Sequence, residues 1–507
     1  RLSPTSTTND KIQKIDIDLC DATGKICVKI KSFSSRVLEE KHMKNELNSE
    51  ITSENDSNNL LVLKTIWEPF TPDEGKEIIS SDSQVVIIGG EISEKETIKG
   101  EYPNAILLDD ELFNTSKGIV KILEDINGID QIFWLVSHIP LNTLTDESLL
   151  IEQNRGIFQC FRIIKALVEI GYDKMELTWT IITRQTQPIN KKDHVSPTHA
   201  SLHGFMGSAS KEYSNWNIRL IDLDGSTNFP ISQIKTLPKN SDDNIIVYRT
   251  EQWFRQQQVP VRISHLQRIE FKMDGVYVII GGAGGIGEVW SKYMIQNYNA
   301  KIVWIGRRSE NSEIQTKIND LSKIGPKPLY IKADATNLEA LKKAYEIIKK
   351  KYNKINGIVH SAIVLSDRSI STMKESELTS VLSSKVDTCV RLSQVFHKEE
   401  LDFVLFFSSM NSFTKSAGQS NYVAGCVFED AFAHQLALEW KCKVKVMNWG
   451  YWGSVGIVSS EIYRDRMKKF GIDSIEAPEG MEALESLLNG PFDQISLMKT
   501  TKAVVIN

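Results

Sequence analysis

The pattern that most clearly indicates chemistry in this 507-residue sequence is a glycine-rich loop near its middle. The apolar run Val276–Ile280 leads into Gly-Gly-Ala-Gly-Gly-Ile-Gly at residues 281–287, and a helical pattern follows. Glycines allow the backbone to turn sharply and to approach a pyrophosphate, whose charge then lies at a helix N-terminus. Because strand, loop and helix occur in this order, we predict a dinucleotide-binding loop, with a purely structural turn as the alternative. The predicted cofactor-binding residues of the loop are Gly281, Gly284, Gly285, Ile286 and Gly287.

The segment after the next predicted strand bears on the choice of cofactor. That strand ends at Ile305 and is followed by Gly306, Arg307 and Arg308. A dinucleotide fold that selects NAD usually places an acid near this position, whereas a 2′-phosphate is bound by arginine. The two arginines therefore favour NADPH, and a solvated basic turn is the alternative.

Three residues downstream of the loop form a candidate catalytic set. Ser409 follows the predicted strand Phe403–Ser408, and Tyr422 comes thirteen residues later. Lys385 precedes Ser409 by twenty-four residues and lies on a helical stretch. Each residue type alone is common on protein surfaces and in cores, but the three spacings together, after a dinucleotide loop, are specific.

These residues need a scaffold, and short apolar runs alternate with helical stretches on both sides of the glycine loop. Near-continuous apolar strands of this kind imply a parallel sheet covered on both faces. We therefore expect an α/β fold of two tandem Rossmann-like, doubly wound subdomains, structural then catalytic, with right-handed crossovers. The predicted strands are Leu61–Trp67, Val85–Ile88, Ala105–Leu108, Ile129–Val136, Thr178–Thr183, Ile218–Leu223 and Ile245–Tyr248, then Val276–Ile280, Lys301–Ile305, Pro328–Lys332, Gly357–His360, Phe403–Ser408 and Lys443–Asn448, and a long helix is predicted over about residues 147–170.

The first half offers a comparison for the glycine loop. Its strand Val85–Ile88 runs into Gly89, Gly90 and Glu91, without later glycines and with an acid that would repel phosphate. We therefore predict a structural subdomain without a cofactor site.

The remaining organisation lies at the N-terminus. Residues 15–38 alternate in polarity around Gly24, which predicts a hairpin, and residues 39–59 are nearly all polar or charged, which predicts a linker. The predicted boundaries are 1–38 for the hairpin, 39–59 for the linker, 60–272 for the structural subdomain and 273–507 for the catalytic one.

Composition narrows the class of protein. The chain is 41% hydrophobic and 25% charged, with a net charge of -5. This mild charge argues against nucleic-acid binding through bulk charge, and no apolar run is long enough for a membrane helix. The six cysteines lack metal-ligand spacing and indicate reduced thiols of a cytosolic protein. The start at Arg1, without an initiating Met, is expected of a segment cut from a longer protein.

Residues 275–490 resemble the short-chain dehydrogenase/reductase superfamily, and residues 60–490 together resemble a polyketide synthase ketoreductase. In the second half, the resemblance rests on the glycine loop, Asp334 in Ala-Asp-Ala-Thr, His360-Ser361-Ala362-Ile363, Lys385, Ser409, Tyr422 and Asn-Trp-Gly-Tyr-Trp-Gly at 448–453. In the first half it rests on the strand near Trp67, residues 178–183 and residues 221–223.

The resemblance implies roles for these residues in reducing a keto group with NADPH. Tyr422 would donate a proton to the carbonyl oxygen, Lys385 would stabilise the phenolate, and Ser409 would hydrogen-bond the developing oxyanion. Asp334 would border the adenine. Ala335, Ser361 and Ala362, together with Lys385 and Tyr422, are further expected cofactor contacts.

Two positions depart from the family pattern. Cys426 stands where many such enzymes have an Asn that helps to hold the Lys and a proton-relay water, and Ile363 stands where Gly is frequent. A thiol is a poor donor and acceptor compared with an amide. Ketoreductases of assembly lines with separate acyltransferases resemble this Tyr-x-Ala-Gly-Cys pattern, so we expect an active enzyme with Cys426 in its catalytic site. An inactive, structural reductase fold and a free-standing dehydrogenase of small alcohols are the alternatives.

The resemblance also extends to stereochemistry and partners. Leu365-Ser366-Asp367 fits the Leu-x-Asp signature of the class giving a D-configured hydroxyl, although the middle acid is absent, and Asn411 stands where the opposite class often has Trp. With Gln419 they are the expected stereocontrol residues, and a role of Asp367 in capping a loop is the alternative. The substrate would arrive on the phosphopantetheine arm of an acyl carrier protein and dock near a lid at about residues 453–480. The N-terminal hairpin resembles the tail of a polyketide dehydratase, an adjacent synthase domain.

Overall fold

The computed structural model describes residues 12–20, 26–36, 59–72, 83–126, 128–138, 141–225, 229–237, 245–262, 271–456 and 461–502. The chain divides into two compact units, Arg1–Asn58 and Asn59–Asn507. In the first, strand β1 (Ile12–Cys20) pairs antiparallel with β2 (Ile26–Arg36), in agreement with the alternating pattern. The turn at Gly24 and the predicted linker, apart from Asn59, lie outside the described residues. The resemblance of this hairpin to a dehydratase tail stays a prediction.

The described strands of the second unit form one sixteen-stranded sheet. The strand order is β13-β12-β11-β14-β15-β16-β18-β3-β10-β9-β8-β7-β6-β4-β5, and β17 pairs with β18. The strands are β3 (Leu60–Phe70), β4 (Val85–Gly89), β5 (Ile106–Leu108), β6 (Gln131–Leu135), β7 (Leu177–Arg184), β8 (Trp216–Leu223), β9 (Ile246–Arg249), β10 (Gln252–Pro260), β11 (Val276–Ile280), β12 (Lys301–Gly306), β13 (Leu329–Lys332), β14 (Gly357–His360), β15 (Phe403–Ser409), β16 (Lys443–Trp449), β17 (Ile472–Asp473) and β18 (Gln494–Thr500).

Helices cover both faces of this sheet, and the central strands are accordingly buried on both sides: every residue of β4, β6 and β11 is buried. The α/β prediction of doubly wound, Rossmann-like halves is confirmed. The helices are Ile92–Glu101, Ile119–Glu124, Ser148–Ile151, Ile157–Glu169, Ser201–Glu212, Ile231–Thr236, Gly285–Tyr298, Ser312–Ser322, Leu338–Tyr352, Glu375–Ser383, Val386–Phe396, Asn411–Thr414, Ser420–Glu439, Glu461–Lys469 and Ala477–Asn489, with short 3-10 turns at Asp110–Phe113, Glu152–Arg155, Tyr172–Lys174 and Pro197–His199.

Two features differ from the prediction. The helix expected over residues 147–170 is broken, because the backbone of Gly156 leaves the helical region at φ -111° and ψ -101°. The two halves also share one sheet, since β3 pairs antiparallel with β18 on one side and with β10 on the other. Strands β10, β17 and β18 were not predicted, and β10 escaped because its Gln-rich sequence lacks an apolar run. The subdomain boundaries near residues 60 and 272 stay a prediction.

The topology of the second half defines where a ligand would bind. Strand β11 lies between β12 and β14. The chain places β12 and β13 on one side of β11 and then crosses to the other side to form β14. In open α/β sheets, ligands bind at the carboxyl ends of the strands next to such a switch point.

Candidate active site

A cleft of about 1290 Å³ opens at this switch point. Every residue predicted to bind cofactor lines it, except Gly287, as do Lys385, Ser409 and Tyr422. Of the residues predicted to control stereochemistry, Leu365, Asn411 and Gln419 line the cleft, whereas Asp367 does not. Sequence positions that are up to 141 residues apart, from Gly281 to Tyr422, are therefore brought to one site.

The glycine loop has a shape that only glycine permits at two points. Gly281 has φ +85°, and a Cβ there would lie 2.7 Å from the backbone nitrogen of Ala362. A Cβ on Gly285 would lie 2.5 Å from the backbone nitrogen of Gly456, which comes from the segment after β16. The helix Gly285–Tyr298 begins directly at the loop, so its N-terminal N–H groups face the cleft end. This cradle fits the diphosphate of a dinucleotide.

Basic side chains lie beside the loop. Arg307 and Arg308 are both exposed at the end of β12, and Arg308 forms an ion pair with Glu313 at 3.2 Å. Lys317, which the sequence pattern did not single out, donates to the carbonyl of Ala283 at 3.0 Å and pairs with Glu288. Local positive charge therefore accompanies the loop, although the chain as a whole is acidic.

Asp334 follows β13 and lies at the same edge of the cleft. Its carboxylate accepts hydrogen bonds from the backbone N–H and the hydroxyl of Thr336, at 3.0 and 2.8 Å, which forms a local turn. This turn fixes the orientation of Asp334 and of the buried Ala335 beside it.

Ser409 ends β15, and Tyr422 lies in the first turn of the helix Ser420–Glu439. Burial raises the pKa of Tyr422 well above its usual value, the adjacent Cys426 adds to this, and a hydrogen bond with the Ser409 hydroxyl opposes it. The phenol is therefore protonated at neutral pH, with a hydroxyl beside it, which is the arrangement required of a proton donor to a carbonyl.

Lys385 directly precedes the helix Val386–Phe396 and is 2% exposed. Its ammonium donates to the carbonyl of Phe407 and to the carboxylate of Glu429, both at 2.8 Å. Burial alone would lower the pKa of Lys385, but the Glu429 carboxylate raises it above its usual value. Glu429 was not among the site residues predicted from the sequence. The available signal was its spacing: seven residues after Tyr422 on a helix, it shares a face with Tyr422 and Cys426.

Cys426 is fully buried one helical turn after Tyr422. Burial raises the pKa of its thiol to about 12, against the opposing effect of the Lys385 ammonium. The thiol is therefore neutral, and it lies behind the phenol rather than in the lining of the cleft. Its predicted place in the catalytic set stays a prediction.

The residues predicted to control stereochemistry form a hydrogen-bonded chain. The side-chain amide of Gln419 donates to the carboxylate of Asp367 at 2.6 Å, and the side-chain amide of Asn411 donates to the side-chain oxygen Oε1 of Gln419 at 2.7 Å. The backbone N–H of Asn411 in turn donates to the Ser409 hydroxyl oxygen at 3.1 Å. Ile363, the second departure from the family pattern, is 41% exposed in the same cleft.

The helix Ser201–Glu212 of the first half supports this side of the cleft, which the sequence analysis did not foresee. Ser208 donates to the carbonyl of Ser416 at 2.8 Å, and Lys211 donates to the carbonyl of Thr414 at 2.5 Å. Lys211 also lines the cleft. The first half therefore contributes the Lys211 side chain to the wall of the cleft.

In the first half, Gly90 lies just after β4, and a Cβ there would lie 2.3 Å from the Leu135 side chain. The absence of a cofactor site in this half stays a prediction.

The predicted lid is described in part. The helix Glu461–Lys469 contributes Tyr463, Arg466 and Met467 to the cleft lining, and Phe470, which follows it, is 69% exposed. Residues 457–460 of the predicted lid lie outside the described residues. None of the helices in the described ranges has the length and apolarity of a membrane span.

The strand order of the second half, its glycine loop and the Lys385, Ser409 and Tyr422 set define the class of short-chain dehydrogenases/reductases. Residues 275–454 match the family described as KR domain, and this part of the chain belongs to that family.

Two relatives match the chain along nearly its entire length. It is 45% identical over 500 residues to polyketide synthase PksN of Bacillus subtilis (strain 168), covering 98% of this chain and 9% of that protein. It is 40% identical over 509 residues to polyketide synthase PksM of the same organism, covering 100% of this chain and 12% of that protein. The chain therefore spans about a tenth of the length of these curated relatives.

Solved structures share the fold. A ketoreductase domain from the bacillaene assembly line superposes with a TM-score of 0.66 at 22% identity, covering 87% of this chain and 97% of that one. An N-terminal ketoreductase from the macrolactin assembly line gives a TM-score of 0.73 at 18% identity, covering 91% and 97%.

Proposed function

We propose that this chain reduces a β-ketoacyl group, bound to an acyl carrier protein, to the hydroxyacyl product in polyketide biosynthesis, with NADPH as its cofactor. An α-keto group is the closest variant of this substrate. The observation that carries the proposal is the meeting of Lys385, Ser409 and Tyr422 in a cleft that the glycine loop also lines.

The residues of the cleft suit this cofactor. The glycine loop and the helix that begins at Gly285 would hold the diphosphate, and Arg307 and Arg308 would hold the 2′-phosphate. Arg308 is already paired with Glu313, so Arg307 is the stronger candidate. Asp334 and Ala335 would border the adenine, and Ser361 and Ala362 the nicotinamide side. Bound NADPH would supply the hydride that the carbonyl carbon receives.

The chain's own residues would supply the proton and stabilise the charge. As the carbonyl carbon accepts hydride, negative charge builds on its oxygen, which would accept hydrogen bonds from Ser409 and Tyr422. Tyr422 then transfers its proton to that oxygen, which completes the alcohol and leaves a phenolate. The phenolate, stabilised by the Lys385 ammonium, regains a proton from solvent.

The Asp367–Gln419–Asn411 chain supports control of the face that receives hydride. Its hydrogen bonds fix the Gln419 amide at the wall of the cleft and connect it to Ser409 through Asn411. With Leu365 beside them, these residues would orient the acyl chain so that a D-configured hydroxyl results.

The proposed partners follow from the class of relatives. PksN and PksM are polyketide synthases many times longer than this chain, so an acyl carrier protein and neighbouring domains, such as a dehydratase, would act beside it. We propose a cytoplasmic location, no membrane and no nucleic acid.

A second candidate is an inactive reductase fold that only spaces neighbouring domains. The neutral, buried Cys426 is the observation that favours it. The two functions differ in turnover with a β-ketoacyl group loaded on a carrier protein. We expect formation of the hydroxyacyl product, of one configuration by chiral chromatography. NADPH binding without product would support the inactive fold, and turnover of small free ketones alone would support a free-standing dehydrogenase.

A further inference from the structure

Glu429 is a buried acid two helical turns after Tyr422. Its side chain is fully buried, and the Lys385 side chain that it contacts is 3% exposed. Their ion pair of 2.8 Å accounts for one acceptor of the ammonium, and the Phe407 carbonyl for the second. A buried ion pair is costly to form because both charges lose their hydration. Removing one partner strongly destabilises the protein, since the other charge is left buried and unpaired. The presence of such a pair at Lys385 therefore suggests a role in the site.

The second oxygen of Glu429 is held as well. His360, at the end of β14, contacts it through Nδ1. Burial lowers the pKa of His360, with the Glu429 carboxylate opposing, and the imidazole is therefore neutral at pH 7. A neutral imidazole that donates from Nδ1 fixes the carboxylate without cancelling its charge. The full negative charge thus faces Lys385.

The other titratable groups described around the pair are two thiols and two acids. Cys426 on the same helix and Cys389 on the helix Val386–Phe396 have pKa values raised by burial, so both are thiols. Burial raises the pKa of Asp430 to about 7 and that of Asp387 to about 6, so both acids gain charge as pH rises through the neutral range. Glu429 is the acid in direct contact with the Lys385 ammonium.

We propose that Glu429 is a positioning residue that holds the Lys385 ammonium in place and offsets its charge, taking over the task of the amide that Cys426 replaces. The proposal rests on the reductase function above. An unopposed ammonium beside Tyr422 would favour the phenolate. Because reduction uses the proton of the phenol, a charge-balanced lysine keeps Tyr422 protonated, and the enzyme reducing, to higher pH.

The test is the pH dependence of kcat/KM for NADPH-dependent reduction of a β-ketoacyl thioester by Glu429→Gln. Activity falls as pH rises through the pKa of Tyr422, and we expect this alkaline limb to move down by about one pH unit or more in the variant. Glu439→Gln is the matched control, because it removes an exposed acid from the same helix. Glu429→Asp, which keeps the charge, should keep the limb of the wild type while lowering kcat.

A second readout does not need turnover. Ultraviolet difference titration of each protein against its Tyr422→Phe counterpart reports the ionisation of Tyr422 itself, and the pKa should be lower in Glu429→Gln than in the wild type. If Glu429→Gln does not fold, Lys385→Met/Glu429→Leu removes the pair together and should leave the Tyr422 pKa within about half a unit of the wild-type value. A Tyr422 pKa unchanged by Glu429→Gln, or raised strongly by the double substitution, overturns the proposal. Absence of wild-type turnover beside the expected titration shift would instead refute the reductase function alone.

Discussion

The backbone N–H of Gly418 donates a hydrogen bond of 3.0 Å to the carboxylate of Glu212, a residue 206 positions earlier in the chain. The other carboxylate oxygen of Glu212 accepts from the backbone N–H of Ile370 at 2.8 Å and from the Ser369 hydroxyl at 2.9 Å. One side chain of the first half thus joins the two loops that carry Asp367 and Gln419. The first half therefore braces the side of the cleft where the acyl chain is proposed to bind.

We predict that Glu212→Ala weakens both loops at once. Loss of an acceptor shared by three donors should lower the free energy of unfolding by about 1–3 kcal/mol, and looser substrate positioning should lower kcat/KM by about tenfold. Chemical denaturation and steady-state kinetics measure the two effects. The matched control is Glu101→Ala. It removes a helical acid that is paired with Lys235, and neither residue lines the cleft. Wild-type kinetics in Glu212→Ala would show that the brace has no role in catalysis.

A second prediction concerns the close approach of the halves at Gly204. A Cβ on this residue would lie 2.6 Å from the carbonyl oxygen of Val423, which follows Tyr422 directly. Gly204→Ala should therefore displace the catalytic helix and lower kcat by at least about tenfold. Gly100→Ala is the matched control, because a Cβ there meets nothing within 4 Å, and it should stabilise the protein by about 0.5–1 kcal/mol. Equal kinetics for the two variants would contradict the prediction.

Cofactor selection should depend unequally on the two arginines. Arg307→Ala should raise the Kd for NADPH by about tenfold or more while leaving the Kd for NADH nearly unchanged, since only NADPH carries the 2′-phosphate. Arg308→Ala should have a smaller effect, because Arg308 already pairs with Glu313. Titration of nicotinamide fluorescence measures both constants. An equal loss for NADPH and NADH in Arg307→Ala would exclude a specific 2′-phosphate contact.

The hydrogen-bonded chain Asp367–Gln419–Asn411 should determine the configuration of the product. Asp367→Ala removes the acceptor at 2.6 Å from the Gln419 amide and should release Gln419 from the cleft wall. We expect a mixture of hydroxyl configurations, whereas Asp367→Asn, which keeps a carbonyl acceptor, should retain most of the selectivity. Chiral analysis of the products distinguishes these cases. A single configuration from Asp367→Ala would remove this chain from the account of stereocontrol.

Cysteine reactivity follows from burial and pKa. Burial raises the pKa of Cys426 to about 12 and that of Cys442 to about 11. Alkylation requires the thiolate, which is a small fraction of either thiol at pH 8 and increases as pH rises. Cys442 is also partly exposed, so iodoacetamide should label it well before Cys426 in the folded protein. Mass spectrometry of the digested protein measures the order, and early labelling of Cys426 would contradict its buried position.

The sequence predicted those features that depend on local patterns. Near-continuous apolar runs located thirteen strands to within three residues at either end, and the glycine loop indicated the switch point; β18, which pairs parallel with β16, was not predicted. Strand β10 and the joining of the halves into one sheet escaped, because a polar, partly exposed strand has no apolar run and its pairing is decided by tertiary contacts.

The same contrast applies to the site. Lys385, Ser409 and Tyr422 were found because their spacing resembles a known family. Glu429 and Glu212 were not, because their importance lies in contacts to residues 44 and 206 positions away. Spacing alone placed Glu429 on the helix face of Tyr422, but it did not encode the contact with Lys385, and no local pattern marked Glu212.

The measurement that tests the central claim most directly is the loss of NADPH absorbance with a β-ketoacyl thioester, comparing the wild type with Tyr422→Phe. We predict steady turnover by the wild type and a loss of at least about a hundredfold in the variant, because phenylalanine keeps the ring but has no proton to donate. NADPH binding should be similar in the two proteins. Equal turnover by Tyr422→Phe, or no turnover by wild type that binds NADPH and receives a carrier-bound substrate, would contradict the account.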